Sequence, residues 1–346
     1  VAARDFDAVL LLSFGGPEGP DDVKPFLRNV TRGRPVPPER LEEVAQHYLR
    51  FGGRSPINDQ NRALLTALRA EMAAQGRIRP LYWGNRNWAP YLVDTVAEMA
   101  AAGVRRAAVF VTSAYSSYSS CRQYLEDLEA ARKTVGAGAP EVFKLRPYYN
   151  HPGFVQALAD GLRAAMVDAG TEAPVLMSAH SIPVSMANRS DYEAQLRETA
   201  SLVAGQAEVA DRQWELVFQS RSGPPAQPWL GPDLIEAIRD LPAATESVVV
   251  APIGFVSDHM EVVYDLDVQA AEAAAGRHVR FVRAATPGLH PAFVRMVTEL
   301  VAEAEDPAGT PARSLGGRGP APSPCLAGCC PAPSRPAPRR RWGRRR

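Results

Sequence analysis

The sequence predicts an α/β protein: two Rossmann-like, doubly wound parallel-sheet halves facing a cleft, followed by a low-complexity C-terminal tail. Short apolar runs alternate with longer amphipathic segments from residue 8 to residue 304. That alternation implies parallel strands covered by helices on both faces. The chain has 346 residues, more than the ~250–300 at which one core stops growing. After Glu305 the alternation stops. The expected divisions are 1–170 for the first half and 171–290 for the second. A final helix at 291–305 and a tail at 306–346 complete the chain.

The first strand is Ala8-Val-Leu-Leu-Leu-Ser13, ended by the turn signal Gly15-Gly16-Pro17. Helical spacing follows at about 20–30, 38–50 and 58–74. Pro20 and Pro38 suit the first turns of the first two, where a missing N–H costs nothing. A short strand near Leu81–Trp83 leads to a helix at about 91–102. Strand Ala107–Thr112 leads to a helix at about 120–134, and a strand near Val142–Leu145 leads to one at 152–169. The second half repeats the scheme without repeating the residues. Strands at 174–178, 215–219, 247–251 and 279–282 precede helices at about 190–204, 232–240, 261–275 and 291–304.

Hydrophobic types form 46% of the chain and charged types 22%. This excludes a wholly disordered chain, a collagen-like fibre and a disulfide-dense mini-domain. No run of 18 apolar residues occurs, so no spanning helix is expected. The first residues lack a basic segment followed by an apolar one, so a cytoplasmic location is expected. The net charge is +1 and residues 306–346 alone carry +8, which leaves −7 on the body. An acidic body argues against a nucleic-acid-binding protein, although the Arg-rich tail could touch anionic surfaces. Three of the four cysteines, Cys325, Cys329 and Cys330, crowd together, with Cys121 far upstream. Clustered thiols outside a secretory setting point to metal or redox chemistry before disulfides.

Ligands of open α/β sheets bind beyond the carboxyl ends of the strands. There the chain places Ser13-Phe14-Gly15-Gly16-Pro17, the Tyr/Ser loop from Ser113 to Cys121, and Ala179-His180-Ser181-Ile182-Pro183. It also places Ser220-Arg221-Ser222-Gly223-Pro224 and Pro252 to Glu261 there. No dinucleotide fingerprint or P-loop is present, so a nucleotide cofactor has no support. Nor does Ser178-Ala-His-Ser181 make a nucleophile elbow. His180 and Glu261 remain as an imidazole and a carboxylate just past strands of the second half. Read alone, His180 could be a plain hydrogen-bonding loop residue, Glu261 a first-turn acid favouring its helix dipole, and Asp258 the N-cap.

Taken in order, several segments resemble the ferrochelatases, which insert ferrous iron into a porphyrin. They are Leu10-Leu-Leu-Ser-Phe-Gly-Gly-Pro17, Phe51-Gly-Gly-Arg-Ser-Pro-Ile-Asn58, Ser178-Ala-His-Ser-Ile-Pro183, Gln219-Ser-Arg-Ser-Gly-Pro224 with Pro228-Trp-Leu230, and Pro252 to Glu261. The resemblance covers about Asp7 to Leu300. It implies two similar halves around a cleft, with the last helix packed back on the first half. It implies His180 as proton acceptor and Glu261 assisting proton or metal transfer, both near ferrous iron, with Asp265 one turn later extending an acidic relay. Porphyrin contacts are implied at Phe14, Arg32, Arg34, Tyr48, Phe51, Arg54, Ser55, Tyr118, Tyr124 and Trp229. Some relatives carry an iron-ligating Tyr where this chain has Phe14, which offers no ligating atom.

The C-terminal run Cys325-Leu-Ala-Gly-Cys329-Cys330-Pro331 resembles the cluster motif of actinobacterial ferrochelatases. It implies a [2Fe–2S] cluster on Cys121, Cys325, Cys329 and Cys330, with four thiolates as such clusters commonly need. That branch implies coproporphyrin III as substrate, with protoporphyrin IX as the alternative. A neutral imidazole with pKa ~6.5 suits removal of pyrrole protons at neutral pH. A non-catalytic porphyrin or haem carrier, a cobalt or nickel chelatase and a tail-mediated nucleic-acid binder are the competing classes. A monomer is expected, with porphyrin, ferrous iron and other haem-pathway enzymes as partners.

Overall fold

The computed structural model describes residues 4–33, 36–223 and 226–332. β1 (Ala8–Ser13), β2 (Leu81–Asn85), β3 (Arg106–Val111) and β4 (Glu141–Lys144) form one sheet in the order β2-β1-β3-β4. β5 (Val175–His180), β6 (Trp214–Gln219), β7 (Ser247–Ala251) and β8 (Arg280–Arg283) form another in the order β6-β5-β7-β8. Every pairing is parallel. The two halves therefore share one strand order, although their sequences show no repeat. β1 lies between β2 and β3, with Leu11 opposite Trp83 and Phe110. All six of its residues are buried, which is why this strand reads as an unbroken apolar run rather than an alternation.

The first half carries α1 (Pro20–Val30), α2 (Pro38–Leu49), α3 (Ile57–Ala74), α4 (Leu92–Ala101), α5 (Gln123–Val135) and α6 (Pro152–Ala169). Then come α7 (Val184–Ala187), α8 (Tyr192–Gln206), α9 (Leu234–Arg239), α10 (Met260–Val263), α11 (Ala271–Ala275) and α12 (Pro291–Glu305). Proline opens α1, α2, α6 and α12. The continuous helices expected over 120–134 and 261–275 are interrupted. A π-helical turn at Tyr118–Arg122 precedes α5, and another at Asp265–Ala270 joins α10 to α11. Such wider turns re-aim side chains and are frequent at functional sites.

One apolar core runs through both halves. Leu11, Phe110, Tyr148 and Phe154 share it with Met177, Val249 and Phe293. α12 packs on α3 and α6. At that crossing a Cβ on Gly153 would lie 2.4 Å from the Ala292 carbonyl oxygen, so glycine permits the close approach. The Tyr/Ser loop also ties the halves together. Tyr115 Oη donates to the Ile253 carbonyl at 2.8 Å, and the Ser116 N–H donates to Gln195 at 2.7 Å.

The tail departs from the structureless expectation up to residue 332. Arg146 and Glu303 form a buried ion pair at 2.8 Å, and Arg146 also donates to the Arg313 carbonyl at 2.7 Å. The Arg313 N–H donates to Glu303 at 2.9 Å. The Leu315 N–H donates to the Asn150 carbonyl at 2.8 Å, and the Asn150 amide donates to the Gly319 carbonyl at 2.8 Å. Missing periodicity excludes a helix or strand here. It does not exclude an irregular strap whose backbone groups are met by buried side chains. Most of the tail arginines lie outside the described residues. Among those described, no helix is long and apolar enough to cross a membrane.

Candidate functional site

His180 ends β5 and Glu261 opens α10, and their side chains meet with Nε2 3.3 Å from Oε1. Nδ1 of His180 is bonded to the Ser181 carbonyl, which fixes the ring and leaves Nε2 to the carboxylate. Tyr192 Oη donates to the His180 carbonyl at 2.9 Å. Gln219, opposite His180 in the sheet register, donates its amide to the Glu261 backbone carbonyl. The Glu261 N–H donates to Nδ1 of His259 at 3.1 Å, so His259 caps α10. Asp258 is not the N-cap that the sequence suggested. Its carboxylate accepts from Arg283 at 3.2 Å and Thr286 at 3.0 Å, and its N–H donates to Gln60 of α3 at 2.8 Å.

The electrostatics correct the expectation of a neutral His180. Burial opposes charge on the ring, but the adjacent Glu261 carboxylate outweighs it and holds His180 up at about 9. Burial likewise opposes charge on Glu261, and the His180 imidazolium holds it down at about 2. At neutral pH the two form an ion pair and His180 already carries its proton. They are 31% and 47% exposed, so solutes can still reach them. Burial pushes His259 the other way, below the usual imidazole range.

Asp265 lies at the π-helical turn and accepts a hydrogen bond from Ser220 Oγ. Burial raises its carboxyl to about 6, with the Glu261 charge adding to that rise. Ser220 holds a left-handed backbone, φ 63°, a conformation that costs a non-glycine residue about 1–2 kcal/mol. The strain accompanies a hydroxyl aimed at an acid. The Glu261 charge is felt by Tyr48 on α2, Tyr124 on α5 and Tyr192 on α8, so the pair faces elements of both halves. His47 on α2 stacks on Tyr264 at 3.8 Å and Arg50 reaches Glu272 at 3.5 Å, so α2 closes over this face.

The other expected contacts divide. Tyr48 packs on Phe26 with centroids 5.7 Å apart, and Phe14 lies against the same ring. Tyr124 is buried beneath the Arg86 guanidinium, 4.4 Å from its ring centroid. Phe51 is half-buried at the turn after α2. Ser55 is buried, and its N–H donates to the Pro17 carbonyl at 2.9 Å. Arg32 is exposed and donates to Asn29 at 2.7 Å. Arg54 is instead drawn onto Asp59 at 2.6 Å. Tyr118 Oη donates to Glu126 at 3.1 Å. Trp229 packs over Gly223, where a Cβ would meet its ring nitrogen at 2.3 Å. Arg34 lies outside the described residues.

The strap carries Cys325, Cys329 and Cys330 to the region of Cys121, and none is in a disulfide. A hydrogen bond from Cys121 draws Cys325 down to about 5, while burial lifts Cys330 to about 12. The thiols adjoin and have the donor type and number of an iron–sulfur site. They do not converge, however. Among the described residues no three His, Cys, Asp or Glu side chains are grouped to hold a metal ion.

The sequence model of the ferrochelatase family matches residues 6–305. The chain belongs to the ferrochelatase family. This ferrochelatase-family chain is 55% identical to the coproporphyrin III ferrochelatase of Frankia alni over 94% of its own length and 87% of the relative's. It is 52% identical to the coproporphyrin III ferrochelatase of Mycobacterium marinum over 96% of both. It is 51% identical to the ferrochelatase of Rhodopirellula baltica over 94% and 93%. Among solved structures it resembles SirB from Bacillus subtilis with Fe3+, at TM-score 0.53 and 10% identity, over 89% of this chain and 99% of that one. That likeness shows a shared chelatase fold. The geometry also brings to His180, Glu261 and their flanks residues that the sequence had singled out for no role. Gln219 and Ser220 sat unassigned inside a strand-end motif, and Tyr192 and Gln60 had no local signal at all.

Proposed function

We propose that this ferrochelatase inserts ferrous iron into coproporphyrin III, forming iron coproporphyrin and releasing the two pyrrole protons. The observation that carries the mechanism is the His180–Glu261 pair, set at strand ends and facing both halves. In the resting protein His180 holds a proton against Glu261. Ferrous iron entering beside the carboxylate competes with the imidazolium for that negative charge. The pKa of His180 then falls, its proton passes to solvent water, and Nε2 becomes free to accept a pyrrole proton. Asp265, raised to about 6, is suited to pass protons on near neutrality, with Ser220 orienting it. A bent macrocycle would expose its nitrogen lone pairs, and contacts to the remote propionates would offset that strain.

Coproporphyrin III is supported by the names of several relatives at 50–55% identity. Its four propionates call for cationic donors, and an exposed Arg32 that meets no carboxylate among the described residues supports that reading. Protoporphyrin IX is the second reading, since the name of one relative specifies no porphyrin. The four thiols have the donor type of a [2Fe–2S] cluster, but as arranged they do not fit one, and no step is routed through it. Its assembly requires the thiols to close on one another.

The test is anaerobic Fe(II) insertion into each porphyrin, followed by absorbance. The expected result is faster turnover of coproporphyrin III, reduced at least ~100-fold in His180→Ala. Full insertion by His180→Ala would remove the proton-acceptor role. A preference for protoporphyrin IX would replace the substrate. Tight porphyrin binding with no insertion of metal would leave a carrier.

A further inference from the structure

α2, in the first half, reaches the π-helical turn that carries Asp265 in the second. Leu41, Val44, Ala45 and Tyr48 of α2 pack with Val23, Phe26 and Leu27 of α1, a spacing that keeps those four on one stripe. His47 lies off that stripe, ~100° around the helix from Tyr48, and its ring turns to the other half. It lies on the Tyr264 ring with centroids 3.8 Å apart and planes 13° apart. Burial holds His47 below the usual imidazole range, so at neutral pH two uncharged rings are in contact. The neighbouring Arg50–Glu272 pair, at 3.5 Å, has both side chains more than half exposed, and such pairs add little. Of the two ties, the stack is the stronger.

Tyr264 stands where the turn widens. Its carbonyl accepts from the Val268 N–H at 3.2 Å and from the Gln269 N–H at 3.0 Å. The first bond has α-helical spacing and the second π-helical spacing. With its carbonyl divided between two registers, this residue is held less by its own helix than its neighbours are. Asp265 comes next in the chain, and its carboxylate accepts from Ser220 Oγ.

We propose that His47 is a positioning residue for iron insertion: by its stack it fixes Tyr264, and with it the place of Asp265 beside Ser220 and Glu261. This rests on the relay role of Asp265. It gives a helix of the first half a part in proton transfer on the second.

The test compares His47→Ala with His47→Phe in the full chain, Phe keeping a flat ring without the imidazole nitrogens. Amide hydrogen exchange over residues 264–270, read by mass spectrometry on the porphyrin-free protein, is expected to quicken about 3- to 10-fold in His47→Ala, the size of one aromatic contact. It should return to the wild-type rate in His47→Phe. Anaerobic iron insertion should follow it: kcat falls by about the same factor in His47→Ala, KM for the preferred porphyrin stays within about 2-fold, and His47→Phe restores kcat. In an Asp265→Asn background, His47→Ala should cost no further kcat, as expected of two residues acting as one unit. Three results would overturn the positioning role: unchanged exchange in His47→Ala, quickened exchange with full kcat, or an equal loss of kcat with and without the Asp265 carboxyl. Full kcat in Asp265→Asn would instead reject the relay, and the part given to His47 in the reaction would fall with it.

Discussion

His180 and Glu261 cannot be assigned acidities separately, because each sets the other. Replacing Glu261 by Gln removes the carboxylate while keeping the shape. The His180 ring titration, followed by NMR, should then fall from about 9 to or below the ordinary ~6.5, since burial is left unopposed. A titration unchanged in Glu261→Gln would mean that some other group holds the proton. The same pair makes stability depend on pH. His180 is raised from 6.5 to about 9, so its contribution is complete below 6.5 and is lost as pH rises through about 9. Glu261 is lowered from 4.5 to about 2, so its contribution is present above 4.5 and is lost as pH falls through about 2. The stability gap between the wild type and the His180→Ala/Glu261→Ala double variant should therefore be widest between about pH 4.5 and 6.5, as read by denaturant midpoints. A gap independent of pH would contradict the ion pair. Both residues were legible in the sequence because strand ends are where α/β proteins place ligands. Their charge state was not, because it depends on a 3.3 Å approach between residues 81 positions apart. Arg54 shows the same limit: its motif was visible, its pairing with Asp59 was not.

Elements of the second half are shaped around the site. The π-helical turn after α10 keeps Asp265 near Glu261, and periodicity could not reveal it, since one widened turn leaves the apolar spacing of the flanking residues intact. The α/β alternation itself was readable, because fully buried parallel strands such as β1 leave unbroken apolar runs. Helix packing yields a paired prediction. Gly153→Ala forces a Cβ to 2.4 Å from the Ala292 carbonyl oxygen and should cost about 1–3 kcal/mol. Gly205, in α8, meets nothing within 4 Å, and Gly205→Ala should stabilise by about 0.5–1 kcal/mol through lower unfolded-chain entropy. Urea melts of the two variants would shift in opposite directions. A shift in one direction for both would show that α6 and α12 are not held at that distance.

For the whole molecule, the strap and the shared core make the halves one body. The Arg146–Glu303 pair, 4% and 7% exposed, pins both α12 and the strap. Glu303→Gln leaves a buried guanidinium without its counter-charge, a loss of about 3–5 kcal/mol. The expected signs are a lower melting temperature and faster proteolysis between residues 306 and 320. Unchanged cleavage there would mean that the strap is held elsewhere. Composition labelled this segment a tail because it has prolines and no period. The bonds that dock it run to side chains far upstream, which no local pattern encodes.

That path has a consequence for the order of events during synthesis. Domains form as they emerge, N-terminal parts first, and Cys121 is made long before the strap. Cys325, Cys329 and Cys330 follow every strand and helix of the described chain. The four thiols can meet only after translation has passed residue 330 and the strap has settled against Asn150, Glu303 and Glu198. Any chemistry that needs all of them is thereby withheld from nascent chains that have not yet reached residue 330.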